Sequence, residues 1–190
     1  MYHAYVTVLC DEKNISAWRE WAKGYDLKVL HFAMPSFSRP SSWHFEVQVA
    51  SDKYSADYIC DLIHRSSLNT SILRVKEEVD FYNGDKYDAK YYEAHFRLSK
   101  AEYVKLMRSL PKDCPDFLFP STNMDNGNVY LTCFDTDFDL FKRKYDGTTK
   151  FLTSLELPVF SHAELVKADT DWLYTHRVSA NIREHSTWDF

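Results

Sequence analysis

The sequence predicts an α+β protein: two tandem ferredoxin-like βαββαβ units with antiparallel sheets, packed into one compact body. Three observations predict it. The strand-like run YHAYVTVL near the start returns as YYEAHFRL in the second half. WHFEVQV is answered by VYLTCF, and ILRVKEEV by VFSHAELV. Between these runs, apolar residues recur at helical spacing. The units are assigned to residues 1–83 and 91–168, with a linker at 84–90 and a tail at 169–190.

Each element has a local reason. Residues 2–10 alternate, with Ala4, Val6 and Val8 on one face and His3, Tyr5 and Thr7 on the other, the period of a half-buried strand. Asn14 can cap a helix carrying Ile15, Trp18, Trp21 and Ala22, which Gly24 stops. LKVLHFAM (27–34) is a second strand and PSFSRPSS a loop. Residues 43–49 alternate again, setting His44, Glu46 and Gln48 against Trp43, Phe45, Val47 and Val49. A helix from Tyr54 to Arg65 presents Ala56, Ile59, Cys60 and Ile63, and residues 72–81 form the fourth strand. The turn-rich YNGDKYDAK ends the unit. In the second half, Ser99 and Glu102 make a capping box before Val104, Met107 and Leu110. DFLFP is a short strand, VYLTCF the third strand, and residues 159–166 the last. Residues 135–157 read as helix interrupted near Asp146-Gly147, and the tail from Asp169 has no assigned element.

The bulk numbers restrict the function classes. With 190 residues, 45% hydrophobic content, 13 Phe, 13 Tyr and 5 Trp, the chain can build a real core. No apolar run reaches the roughly 18 residues that span a membrane, so no membrane partner is expected. The opening MYHAYVTVLCDEK is charged too early for a signal peptide. Cys10, Cys60, Cys114 and Cys133 have no CxxC spacing, which fits reduced structural thiols and a cytoplasmic location. A net charge of −5 argues against nucleic acid as a partner, which needs clustered Lys and Arg.

The informative residues lie on the sheet faces away from the helices. The first face collects His3, Tyr5, Thr7, His44, Glu46, Gln48, Arg74, Lys76 and Glu78. The second collects Glu93, His95, Arg97, Tyr130, Thr132, His162 and Glu164. Both faces are too polar to pack dry on each other. They are expected to be solvated or to line a wet cleft between the units. Arg74 and Lys76 repel unless an anion sits between them. A ligand phosphate or carboxylate would serve, and so would Glu46 or Glu93.

The chain resembles a family of uncharacterised bacterial and phage proteins built as two similar halves. Arg74, Lys76 and Glu78 match its R-x-K-x-E motif, and Glu93, His95 and Arg97 its E-x-H-x-K/R motif. Ser121 and Asn123 match a Ser-x-Asn element, with Thr122 where the family has Arg, and the closing Asp-rich motif is blurred into KADTDW. The resemblance implies a site and no particular reaction.

The leading expectation is a cleft that binds a small anionic ligand such as a nucleotide or phosphorylated metabolite, with its hydrolysis as a further hypothesis. His95, His44 and Glu93 are the candidate acid–base groups. Arg74, Lys76, Glu78, Arg97, Tyr5, Tyr130 and Thr132 are the candidate ligand contacts. A phosphoester hydrolase related to the two-lobed phosphodiesterases would need His-x-Thr/Ser motifs, which HFE at His44 and HFR at His95 lack. The repeat partners of these histidines are Tyr130 and Tyr5, so the copies differ in chemistry. One alternative is a non-catalytic protein that sequesters a host protein or signalling nucleotide. Another is a metal-dependent enzyme using His44, Glu46, Glu93 and His95. No sequence signature names a metal or a cofactor.

Overall fold

The computed structural model describes residues 1–36, 43–68, 70–81, 88–108 and 110–185. The described residues form, in order, β1 (Tyr2–Val8), α1 (Ile15–Lys23), β2 (Lys28–Pro35), β3 (Trp43–Ser51), α2 (Ala56–His64) and β4 (Ile72–Asp80). The second half adds β5 (Tyr91–Leu98), α3 (Lys100–Arg108), β6 (Phe119–Asn123), β7 (Val129–Asp135), α4 (Phe138–Ser154) and β8 (Phe160–Asp169). Two short helices follow, α5 (Tyr174–Val178) and α6 (Ile182–His185). Among the described residues, no helix is long and apolar enough to cross a membrane.

The strands close a single antiparallel barrel in the order β1-β3-β2-β6-β7-β5-β8-β4. This corrects the expected architecture of two ferredoxin-like units with open sheets. Open sheets would leave the N–H and C=O groups of their edge strands unpaired. Here β4 pairs with β8 from Lys76↔Asp169 to Asp80↔Glu164, and β2 pairs with β6 at Phe32↔Asn123 and Ala33↔Thr122. Strands from both halves therefore share one wall. The polar faces do not look at each other across a cleft; they line one lumen.

The apolar faces look outward, under the helices. On one side Ala4, Val6, Val47 and Val49 pack with Trp18 of α1 and Ile59 of α2. On the other, Ala94, Phe96, Leu131 and Leu165 pack with Leu106 of α3 and Leu152 of α4. Strand alternation thus puts every second residue into a helix-covered core and the others into the barrel.

Ser99 and Glu102 form their reciprocal cap, Glu102 Oε2 accepting from Ser99 N at 2.7 Å. Asn14 precedes α1 without a side-chain cap hydrogen bond. The helix α4 runs unbroken through Asp146-Gly147, contrary to the expected interruption, because Gly147 keeps a helical backbone. The short strand lies at Phe119–Asn123, later than DFLFP. The tail beyond Asp169 lies across one end of the barrel: Ala180 N donates to Pro35 O at 2.7 Å, and Ile182 N to Leu118 O at 2.7 Å. Cys114 and Cys133 are buried, Cys10 and Cys60 half-buried, and all four are free. Loop residues 37–42 and linker residues 84–87 lie outside the described residues.

Candidate functional site

The lumen holds a cavity of about 370 Å³. Its lining is two-faced. Leu30, Phe32 and Met34 of β2, with Phe119 and Pro120 of β6, make an apolar wall. Arg74, Lys76 and Glu78 of β4, with His162 and Glu164 of β8, make a charged one. In the ring order β2 stands opposite β8 and β6 opposite β4, so the two walls face each other. A pocket that is apolar on one side and carries a few placed polar groups on the other suits a small organic ligand.

The charged wall is an ion-pair network. Arg74 Nε and Nη2 grip Asp169 at 3.0 Å (Oδ1) and 2.6 Å (Oδ2). Tyr91 donates its hydroxyl to the same carboxylate at 2.6 Å. Lys76 Nζ lies 2.9 Å from Glu78 and 3.1 Å from Glu93. His95 Nε2 lies 2.8 Å from Glu93 and 3.6 Å from Glu164, and Nδ1 meets Thr132 Oγ1 at 2.9 Å.

Each charge is set by its neighbours. Burial alone would raise the Glu93 carboxyl, but Lys76 and His95 hold it well below the usual carboxylate range. Glu164 is held down against burial by His162 and His95. Burial would lower His95, yet Glu93 and Glu164 raise it to about 10, so its ring is an imidazolium near neutral pH. Burial lifts Glu78 to about 8 against the pull of Lys76, with Glu164 and Glu93 adding to the rise. Adjacent carboxyls pushed apart in this way can hold and release a proton.

Unlike Glu78, Glu93 and Glu164, Glu46 makes no ion pair among the described residues. It is 7% exposed and lines the cavity from β3, directly across from Phe32 of β2. Its Oε1 accepts from Gln48 Nε2 at 2.6 Å. Burial pushes its carboxyl upward, against the pull of Arg74, Gln48, Lys76 and the Tyr174 hydroxyl. Its Oε2 is buried with no partner in hydrogen-bond geometry among the described residues. An unpartnered buried carboxyl oxygen is costly.

Eight predicted site residues meet in this cavity: Tyr5, Arg74, Lys76, Glu78, Glu93, His95, Tyr130 and Thr132. Two do not line it. His44 shares the face of Glu46 but bonds the Tyr174 hydroxyl at 3.0 Å beyond the cavity. Arg97 is exposed, with its guanidinium 5.1 Å from the Phe160 ring. With His44 turned away, the set His44, Glu46, Glu93 and His95 is not assembled. The phosphodiesterase-like reading is corrected by the same finding, since it needs two histidines facing one ligand across paired lobes. Asp169, Tyr91, Tyr174 and Asp80 were not singled out as site residues. Their strand positions two residues apart from known lumen residues (Asp80 from Glu78, Tyr91 from Glu93) were the available signal. Asp169 lies in KADTDW, the blurred Asp-rich motif, and that was its signal; Tyr174, beyond the end of β8, had none.

No family model matches the chain, and no curated protein matches it. Among solved structures the chain is similar to one from Lactobacillus acidophilus NCFM described as a "putative monooxygenase". The two are 11% identical over 88% of this chain and 95% of that chain, with a TM-score of 0.29.

Proposed function

We propose that the protein binds a small amphipathic organic molecule inside the barrel, with a hydrogen-bond-donating or cationic head at Glu46. The apolar body lies against Leu30, Phe32 and Met34. The carrying observation is Glu46, a buried carboxyl in the cavity wall whose Oε2 has no partner in hydrogen-bond geometry among the described residues. A donor on the ligand relieves the cost of that oxygen, and Phe32, the cross-strand neighbour of Glu46, offers apolar surface beside it.

The same geometry argues against an anion as the preferred ligand. Arg74 is engaged by Asp169, and Lys76 by Glu78 and Glu93. A phosphate would have to displace a two-point grip on a buried guanidinium, exchanging one charge-assisted pair for another.

The test is thermal unfolding with benzylamine, tyramine and inorganic phosphate. An amine at a hundred times its dissociation constant stabilises by about 2.7 kcal/mol, a rise of roughly 5–10 °C for a chain of this size. Leu30→Trp, which fills the apolar side of the cavity, abolishes the rise while the protein still unfolds cooperatively. Stabilisation by phosphate with none by either amine overturns the reading.

A further inference from the structure

We propose that His3, Asp80, His162 and Glu164 form a site for a divalent transition-metal ion of the zinc or iron(II) class at one end of the lumen. The four residues come from three adjacent strands, β8, β4 and β1. His162 and Glu164 are two apart on β8, so their side chains share a face. Asp80 is the cross-strand partner of Glu164, and His3 is the partner of Glu78, two residues before Asp80.

The atoms stand close to the spacing that coordination needs, within reach of small side-chain adjustments. One ligand atom from each residue lies within 4.8 Å of all the others. His162 Nε2 is 3.1 Å from Asp80 Oδ1 and 3.2 Å from Glu164 Oε1, and His3 Nε2 is 3.8 Å from Asp80 Oδ1. A tetrahedral ion with bonds of about 2.0–2.1 Å sets neighbouring ligand atoms about 3.4 Å apart. Two carboxylates balance a dication. Two imidazoles favour zinc or iron(II) over magnesium and calcium, which prefer all-oxygen shells.

The outer contacts fit the same assignment. Each carboxylate turns one oxygen to the cluster and has the other held from outside. Asp80 Oδ2 pairs with the Met1 ammonium, and Glu164 Oε2 lies 3.6 Å from His95. Such second contacts orient metal-binding carboxylates. His3, His162 and Glu164 also line the cavity, so a bound ion faces whatever molecule occupies the lumen. The site uses none of the residues that carry the ligand reading, and either can fail alone.

The experiment uses untagged, chelator-stripped protein, since a histidine tag would bind metal itself. Calorimetric titration with zinc chloride is expected to show one zinc per chain, while magnesium chloride gives no binding heat. Cobalt(II) is expected to develop the visible bands of a low-symmetry four-coordinate site. His162 is 54% exposed, so His162→Ala leaves the packing intact. His162→Ala and Asp80→Asn each weaken zinc binding by at least roughly tenfold, with unchanged circular dichroism. His64→Ala, on an exposed helix position, leaves it unchanged. Absence of stoichiometric zinc uptake by the wild type overturns the proposal, as does equal uptake by both variants, which would mark the four residues as an ion-pair network.

Discussion

Lys76 Nζ lies 3.1 Å from Glu93 Oε1 although their strands never pair. β8 stands between β4 and β5, so the contact spans the inside of the barrel. Lys76 also pairs with Glu78 at 2.9 Å, and it shares with His95 the task of compensating the buried Glu93 carboxylate. Lys76→Met is therefore expected to destabilise the protein by about 3–5 kcal/mol in urea unfolding. Adding Glu93→Gln should recover at least roughly 1 kcal/mol, because it removes a buried carboxylate that has lost one of its two cations. Additive losses in the double variant would show that the two groups are independent.

Helix α4 offers a prediction free of the lumen. Gly147 sits inside it, and a Cβ there would meet nothing within 4 Å. Gly147→Ala is expected to stabilise by about 0.5–1 kcal/mol. The urea midpoint is the readout, and a fall would mean that the helix needs glycine at that position.

Much of the lumen was legible from period two alone. Alternation put Glu46, Arg74, Lys76, Glu78, Glu93 and His95 on one face of their strands, and that face is the lumen. Closure was not legible. The β2–β6 seam pairs only Phe32↔Asn123 and Ala33↔Thr122, and nothing local in those residues announces a partner in the other half. The β4–β8 seam depends on β8 running on to Asp169, past the point where apolar alternation stops. The expected break at Gly147 failed for a related reason. Glycine lowers helix propensity modestly, and Phe141, Phe151 and Leu152, packed into the core from either side of it, outweigh that cost. The roles of the charges were hidden too, because Arg74 looks free until Asp169 is placed beside it.

Acid sensitivity should trace in part to His185. Its ring is fully buried, takes part in a hydrogen bond between Nδ1 and the Tyr103 hydroxyl at 2.8 Å, and packs edge-on against Trp43. Burial depresses it from 6.5 to about 4. The folded state therefore resists a proton that the unfolded chain accepts. The stability is fully present above the unfolded value and is lost as pH falls from about 6.5 to about 4, by up to roughly 3 kcal/mol. Burial also holds His31 and His44 low, so they add in the same direction. In urea unfolding at a series of pH values, His185→Phe should flatten this slope without abolishing it. An unchanged slope would remove His185 from the account.

Glu46→Gln, measured twice on the same preparation, decides whether Glu46 holds a ligand. If Glu46 is kept for a ligand, its unpartnered carboxyl burdens the empty protein. The amide should then raise stability by about 1–3 kcal/mol in urea and at the same time remove most of the thermal stabilisation by benzylamine or tyramine. A variant that is less stable than the wild type, or one that keeps the full amine-induced shift, would contradict a ligand site at Glu46.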